Sequence, residues 1–324
     1  MVMVKAPTRI DLAGGTLDIW PLSVIFAPAV CVNVAIDLYA QIRAERGKET
    51  DGIIIQTKGS GRPVSYPRKI AEGKKNLFDR TLEHLPLSGY RLSVDYQSPK
   101  GAGLGGSSAL LIAFIRTLCL LGRKKMSDME MLRLAQNIEA RHLGIPTGVQ
   151  DYIAALNGGV NAVENGIGGL AVERLKVKPL EIQKRVMLVY SGKSRVSGDF
   201  NWLKIKKALN GDRLTCRIFA KIAENSLKVR DALDNGRFSE AGVLIGDENR
   251  MREKLGSRVV PARLKKIFAK IRRLGGHPKI CGAGGGGCFI VWCEQEFRDD
   301  IASLILKSGM EPLDYSVSLP ADLD

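Results

Sequence analysis

The segment Pro99-Lys-Gly-Ala-Gly-Leu-Gly-Gly-Ser-Ser-Ala109 carries the strongest chemical signal in the chain. Glycine lets a backbone curl until several N–H groups converge on one small volume. A helix start just downstream adds unpaired N–H groups and the positive end of a dipole, so an anion such as a phosphate is favoured there. Ser107 and Ser108 put hydroxyls at the same mouth, where one can ligate a phosphate-bound Mg²⁺, a hard cation that prefers oxygen. The bland alternative is a strand–helix turn with serine as its cap. The density of glycine beside paired serines favours a phosphate cradle built from Gly101, Gly103, Leu104, Gly105, Gly106, Ser107 and Ser108. It is not a Walker loop, since no Gly-Lys-Ser/Thr follows, nor a dinucleotide fingerprint followed by a ribose-binding acid.

Three further segments set polar residues among glycines. Near the start is Ala6-Pro-Thr-Arg-Ile-Asp-Leu-Ala-Gly-Gly-Thr-Leu-Asp18. In the middle lies Glu139-Ala-Arg-His-Leu-Gly-Ile-Pro-Thr-Gly-Val-Gln-Asp151. Near the end comes Ile280-Cys-Gly-Ala-Gly-Gly-Gly-Gly-Cys288. Each has a plain reading as a turn with solvated charges.

These segments need elements to hold them. Val30–Val34, Tyr39–Glu45, Ile53–Thr57 and Leu92–Gln97 have strand composition. Apolar residues at helical spacing predict a helix from about Ser107 to Leu121. A capping box, Ser127 with Glu130, predicts a second helix, and a third is expected from about Thr147. Further on, Val186–Tyr190 and Cys288–Cys293 read as strands. Leu227–Leu233, Phe238–Glu253 and Pro261–Leu274 read as helices. Strands followed by helices without regular βαβ alternation give an α+β class. A chain of 324 residues suits two domains. The expected division is 1–180, holding the phosphate loop, and 181–324.

Composition excludes several classes. Apolar residues make up 45% and charged residues 26%, which rules out a disordered or fibrous chain. The net charge of +15 is spread along the sequence and suits anionic small molecules or a phosphate backbone. The six cysteines form no CxxC pair and only three histidines are present, so a zinc site is not expected, and Cys281 and Cys288 read as small buried residues. No signal-peptide core opens the sequence, and the greasiest stretch, Ala109–Leu121, is broken by Arg116. A cytoplasmic protein without a membrane partner is the expectation.

The four glycine-bearing segments together resemble the GHMP kinases, the group of galactokinase, homoserine kinase, mevalonate kinase and phosphomevalonate kinase. PxxxGLGxSSA resembles their phosphate loop, Ala6–Asp18 their first motif, and Ile280–Cys288 their third. The resemblance implies two domains, the first like a ribosomal-protein domain and the second ferredoxin-like, with ATP and Mg²⁺ as cofactors. It implies that Asp151 deprotonates the attacking hydroxyl and that Arg9 stabilises the developing charge. Ser108 and Glu139 would hold Mg²⁺. Asp18 would accept hydrogen bonds from substrate hydroxyls, with Thr147, Gly284 and Gly285 also against the substrate. Gly148-Val-Gln-Asp-Tyr-Ile-Ala-Ala-Leu-Asn-Gly-Gly159 and Leu188–Arg195 are similar to the heptose-phosphate and fucose kinase branch, although Tyr152 stands where Gln is usual. That branch phosphorylates the anomeric hydroxyl of a sugar or sugar phosphate. Lys193, Arg195 or Arg141 could then pair with a phosphate already on the substrate. An isoprenoid-type kinase acting on mevalonate or phosphomevalonate is the runner-up. The non-enzyme alternatives are a silent sugar sensor and a nucleic-acid binder. The basic segment 261–274 keeps an apolar stripe, so a solvated basic face is expected there, with no nucleic-acid partner. A homodimer is allowed.

Overall fold

The computed structural model describes all residues except 48–51, 60, 69–72, 74, 195–198, 257 and 321–324. Among these, seven strands form one sheet: β1 (Val2–Ala13), β2 (Cys31–Arg46), β3 (Ile53–Thr57), β4 (Val64–Tyr66), β5 (Tyr90–Tyr96), β6 (Val160–Gly166) and β7 (Gly169–Arg174). The long strand β2 organises it. β1 runs antiparallel along one edge of β2, while the other edge pairs first with β6 and then with β5. The two strands expected at 30–34 and 39–45 are therefore one. Between them, residues 37–39 form a bulge against β1 instead of a turn, and the ladder resumes at Ala40.

Helices α1 (Leu22–Ile25), α2 (Leu77–His84), α3 (Gly106–Leu121), α4 (Asp128–Leu143) and α5 (Gln150–Asn157) belong to this first half. α3 is buried along most of its length, as its nearly all-apolar sequence demands. It packs against β1, β2, α4 and α5 around Phe114, Ile112, Leu118 and Ile138. α4 starts at Ser127 with both halves of the capping box formed and stops at Gly144 in a left-handed conformation.

The second half runs α6 (Pro179–Arg185), β8 (Val186–Tyr190), α7 (Asp199–Leu209), α8 (Arg213–Asp234), α9 (Phe238–Lys254), α10 (Ala262–Arg273), β9 (His277–Ile280), β10 (Cys288–Trp292), α11 (Arg298–Lys307) and β11 (Glu311–Leu313). Its strands form an antiparallel sheet in the order β11-β8-β10-β9. On α10 the stripe Leu264, Ile267, Phe268 and Ile271 is buried, and Arg263, Lys266, Lys270 and Arg273 face solvent. One apolar cluster joins the halves: Ile10, Leu12, Val32 and Val34 of the first sheet meet Val229 of α8, Ile245 of α9, and Ile290 and Trp292 of β10. β1 is thus buried on both faces from Ala6 onward, which puts Arg9 and Asp11 at the centre of the molecule.

Candidate active site

The loop between β5 and α3 forms one wall of a cavity of about 870 Å³. Gly101, Gly103, Leu104, Gly105, Gly106, Ser107 and Ser108 all line it, together with Arg9, Asp18, Glu139, Thr147, Gln150 and Asp151. Gly105 is the N-cap of α3, with φ of 75°. A Cβ there would lie 3.0 Å from the Asp151 carboxyl carbon. Glycine at this point both permits the left-handed turn and lets the carboxylate touch the loop.

Arg9 locks the wall together. Its Nε donates to Asp151 Oδ1 at 2.7 Å and its Nη1 to the Gly103 carbonyl at 2.7 Å. Its own main-chain N–H donates to the Leu104 carbonyl at 2.9 Å. Burial alone would lower the guanidinium pKa, but Asp151 and Asp11 outweigh it and raise it, so Arg9 is a fixed cation. Asp151 sits in the first turn of α5, where the helix dipole favours an anion. Its side chain keeps a quarter of its surface open, against 4% for that of Arg9. The pair therefore presents its carboxylate, not its guanidinium, to the cavity.

Glu139 reaches the same wall from α4. Its Oε1 accepts from Ser107 Oγ at 2.5 Å, and its Oε2 from Ser108 Oγ at 2.9 Å and from the buried Tyr152 hydroxyl. A carboxylate with two serine hydroxyls beside a glycine loop is an all-oxygen donor set that suits Mg²⁺. Burial and the neighbouring Glu139 push the Tyr152 hydroxyl well above its ordinary pKa, so it remains a donor and orients Glu139.

Three residues expected against the substrate have close protein partners. Asp18 lines the cavity, but only 3% of it is exposed. Its Oδ2 accepts the main-chain N–H groups of Val149 at 2.7 Å and Gln150 at 3.0 Å. It caps the start of α5 through that oxygen, and its Oδ1 meets the Cys31 thiol at 3.5 Å. This also explains why α5 begins at Gln150 and not at Thr147, whose carbonyl is taken by Gln136. Burial raises the Asp18 pKa despite those hydrogen bonds. The other two are Gly284 and Gly285. They turn away from the cavity onto Val259, whose carbonyl accepts the Gly285 N–H at 2.9 Å and would lie 2.3 Å from a Cβ at 284. Gly282 and Ala283 line the cavity in their place. The far end of the same loop packs on the phosphate loop, where Cys288 N–H donates to the Ala102 carbonyl at 2.6 Å. Gly287, at φ of 73°, leaves no room there for a side chain.

Cys281 and Cys288 are fully buried, and burial pushes the Cys281 thiol up to about 11 and the Cys288 thiol higher, which makes both inert at neutral pH. Lys193 and Arg141 are exposed and do not line the cavity, and Arg195 lies outside the described residues.

Behind Arg9 lies an ionic cluster that sequence alone does not reveal. Lys279 Nζ is 3.0 Å from Asp11 Oδ1 and 3.6 Å from Glu248 Oε1, with all three side chains wholly buried. Glu248 accepts from Arg252 Nε at 2.7 Å and from the Gly14 N–H at 2.8 Å, and Arg252 donates to the Gly15 carbonyl at 2.5 Å. Burial would raise the Asp11 pKa, yet Lys279, Arg252 and Arg9 hold it below the ordinary value. The contacts that join Asp11, Gly14 and Gly15 to Glu248, Arg252 and Lys279 span more than two hundred residues in sequence. The only local signal is a charge beside each glycine motif.

Comparison with known proteins places both halves of the chain in one family. Residues 68–159 match the GHMP kinases N terminal domain, and residues 229–311 match the GHMP kinases C terminal domain. The chain is 26% identical to D-glycero-alpha-D-manno-heptose 7-phosphate kinase of Campylobacter jejuni, over 97% of this chain and 96% of the relative. It is 24% identical to a mevalonate kinase of Thermococcus onnurineus, over 79% of this chain and 73% of the relative. Among solved structures, a D-glycero-D-manno-heptose 1-phosphate kinase from Bacteroides thetaiotaomicron superposes with a TM-score of 0.76 at 22% identity, covering 98% of this chain and 96% of that one.

Proposed function

The chain belongs to the GHMP kinases, and on that footing we propose that it transfers the γ-phosphoryl group of ATP to the anomeric hydroxyl of a sugar or sugar phosphate. D-glycero-D-manno-heptose 7-phosphate is the first acceptor to test, because the likeness to the Campylobacter enzyme runs the length of both chains. The mevalonate kinase of Thermococcus onnurineus matches less of this chain, 79% against 97%. The two domains are taken as 1–180 and 181–324, with the reaction in the cleft lined from both.

The observation that carries the proposal is the contact between Asp151 and Gly105. It sets a carboxylate against the loop whose N–H groups would hold the triphosphate. Asp151 accepts the proton of the attacking hydroxyl, a role worth roughly 10²- to 10⁴-fold in rate. Arg9 keeps that carboxylate in place and brings positive charge to where negative charge develops. Gly101, Gly103, Leu104, Gly105, Gly106 and Ser107 line the phosphate wall. Ser108 and Glu139 would hold Mg²⁺, which when bound offsets the charge of the phosphates. Little covalent chemistry falls to the protein, so positioning dominates.

The test is ADP release from ATP across heptose and hexose phosphates, free sugars and mevalonate, with phosphorus NMR to locate the new ester. A sugar 1-phosphate is the expected product. Turnover of mevalonate with no sugar turned over would replace the proposal with the isoprenoid reading.

A further inference from the structure

With Asp18 committed to the start of α5, the acceptor end of the cavity needs another group to read the substrate. We infer that Gln150 binds the hydroxyl next to the one phosphorylated, and so selects a polyol over an acceptor carrying a single alcohol. The inference rests on the sugar kinase reading above.

Gln150 lines the cavity between Asp18 and Asp151 in the chain's own order. Its main chain is fixed at both ends: the N–H donates to Asp18 Oδ2 at 3.0 Å, and the carbonyl accepts from Asn33 Nδ2 at 3.1 Å. The residue is 5% exposed, and its carboxamide oxygen has no hydrogen-bond partner among the described residues. A buried amide oxygen left without a donor is costly, and native structures keep such groups where something else supplies the donor. That oxygen is screened from water as it stands. The terminal torsion of glutamine is broad and soft, however, so a small rotation turns it toward a ligand at the cavity wall.

The chemistry selects the class of ligand. A carboxamide accepts through oxygen and donates through nitrogen, which matches a hydroxyl in both senses. Its neighbours Asp18 and Asp151 are carboxyl groups, and the guanidinium of Arg9 is already engaged by Asp151 and Gly103. A neutral hydroxyl is therefore welcome at this point, and a carboxylate such as that of mevalonate is not. Because Gln150 and Asp151 both line the cavity at the first turn of α5, two vicinal hydroxyls can be met by these two side chains. For an anomeric acceptor the second is the 2-hydroxyl.

The test compares D-glycero-D-manno-heptose 7-phosphate with its 2-deoxy analogue on wild-type enzyme and on Gln150→Leu, which keeps the volume and removes the polar atoms. In the wild type the deoxy analogue should lose about 10- to 100-fold in kcat/KM, the scale set by one buried hydrogen bond. In Gln150→Leu the KM for the full substrate should rise by a similar factor, and the gap between the two substrates should close to about twofold. The KM for ATP should stay within about twofold. Gln150→Met serves where the leucine variant fails to fold. An unchanged gap in a folded variant would overturn the inference while leaving the kinase reading intact. A wild type that turns over no sugar at all would overturn both.

Discussion

Two ionic clusters leave the same strand two residues apart, and they differ in what surrounds them. Arg9 pairs with Asp151 at the cavity wall, where the carboxylate keeps a quarter of its surface open. Asp11 pairs with Lys279 behind it, together with Glu248 and Arg252, and no surface remains open on Asp11, Lys279 or Glu248. The open pair can exchange a protein partner for a ligand. The closed one cannot, and it ties β1 and the Gly14–Gly15 turn to α9 and β9. Two buried charges of opposite sign on one strand thus differ in whether the partner of each stays open to a ligand.

That division can be broken from either side. Asp151→Asn should have the largest effect on turnover, a loss of about 10³-fold in kcat. Its nucleotide affinity should stay near wild type, and its thermal midpoint should fall less than that of Lys279→Met, because Arg9 loses its counter-ion charge at a wall that is partly open. Steady-state kinetics beside calorimetry would check this, and full activity would remove Asp151 from its role. Lys279→Met should do the reverse and cost about 3–5 kcal/mol of stability, since it strands Asp11 and Glu248 in the interior. Adding Asp11→Asn should return part of that loss, measured by urea unfolding of the single and double variants. A Lys279→Met protein as stable as wild type would show that the cluster is not architectural.

Tyr152→Phe tests the open side of the comparison, through Glu139. It removes a buried donor from Glu139, so kcat/KM should fall about tenfold, with a steeper dependence on Mg²⁺ concentration. The pH response gives the smallest signals. The Asp11 carboxyl is held below its ordinary 3.8, so it adds stability above that pH that is lost as the pH falls through its folded value. His277 faces Arg250, Asp247, Arg272 and Glu294. Burial, with Arg250 and Arg272 outweighing the two acids, lowers its pKa below 6.5. The unfolded chain then binds more protons just below 6.5, so stability falls with acidification there. Replacing His277 with Gln should flatten that slope, as thermal melts at a series of pH values would record.

What could be read from sequence was local. The start of α3 at the glycine loop and the capping box of α4 both lie within a few consecutive residues, and both formed as the pattern predicts. The onset of α5 was misplaced because its cap, Asp18, comes from 131 residues away. The 16-residue strand β2 reads as two in sequence because its midpoint has no strand composition; the chain bulges there against β1, and the pairing resumes at Ala40. For the same reason the glycine motifs announced a site, while the Lys279 cluster, the Gln150 carboxamide and the Tyr152 hydroxyl did not. A glycine run is visible one letter at a time, whereas burial and partnership exist only after folding. Helix α7 and the first half of α8 carry helical apolar patterns of their own that went unread.

The most direct test of the account is a crystal structure with a non-hydrolysable ATP analogue and D-glycero-D-manno-heptose 7-phosphate bound. The β- and γ-phosphates should rest on the main-chain amides of residues 103–108, with the anomeric hydroxyl within hydrogen-bonding reach of Asp151. A triphosphate bound away from that loop, or an acceptor hydroxyl beyond the reach of Asp151, would contradict it.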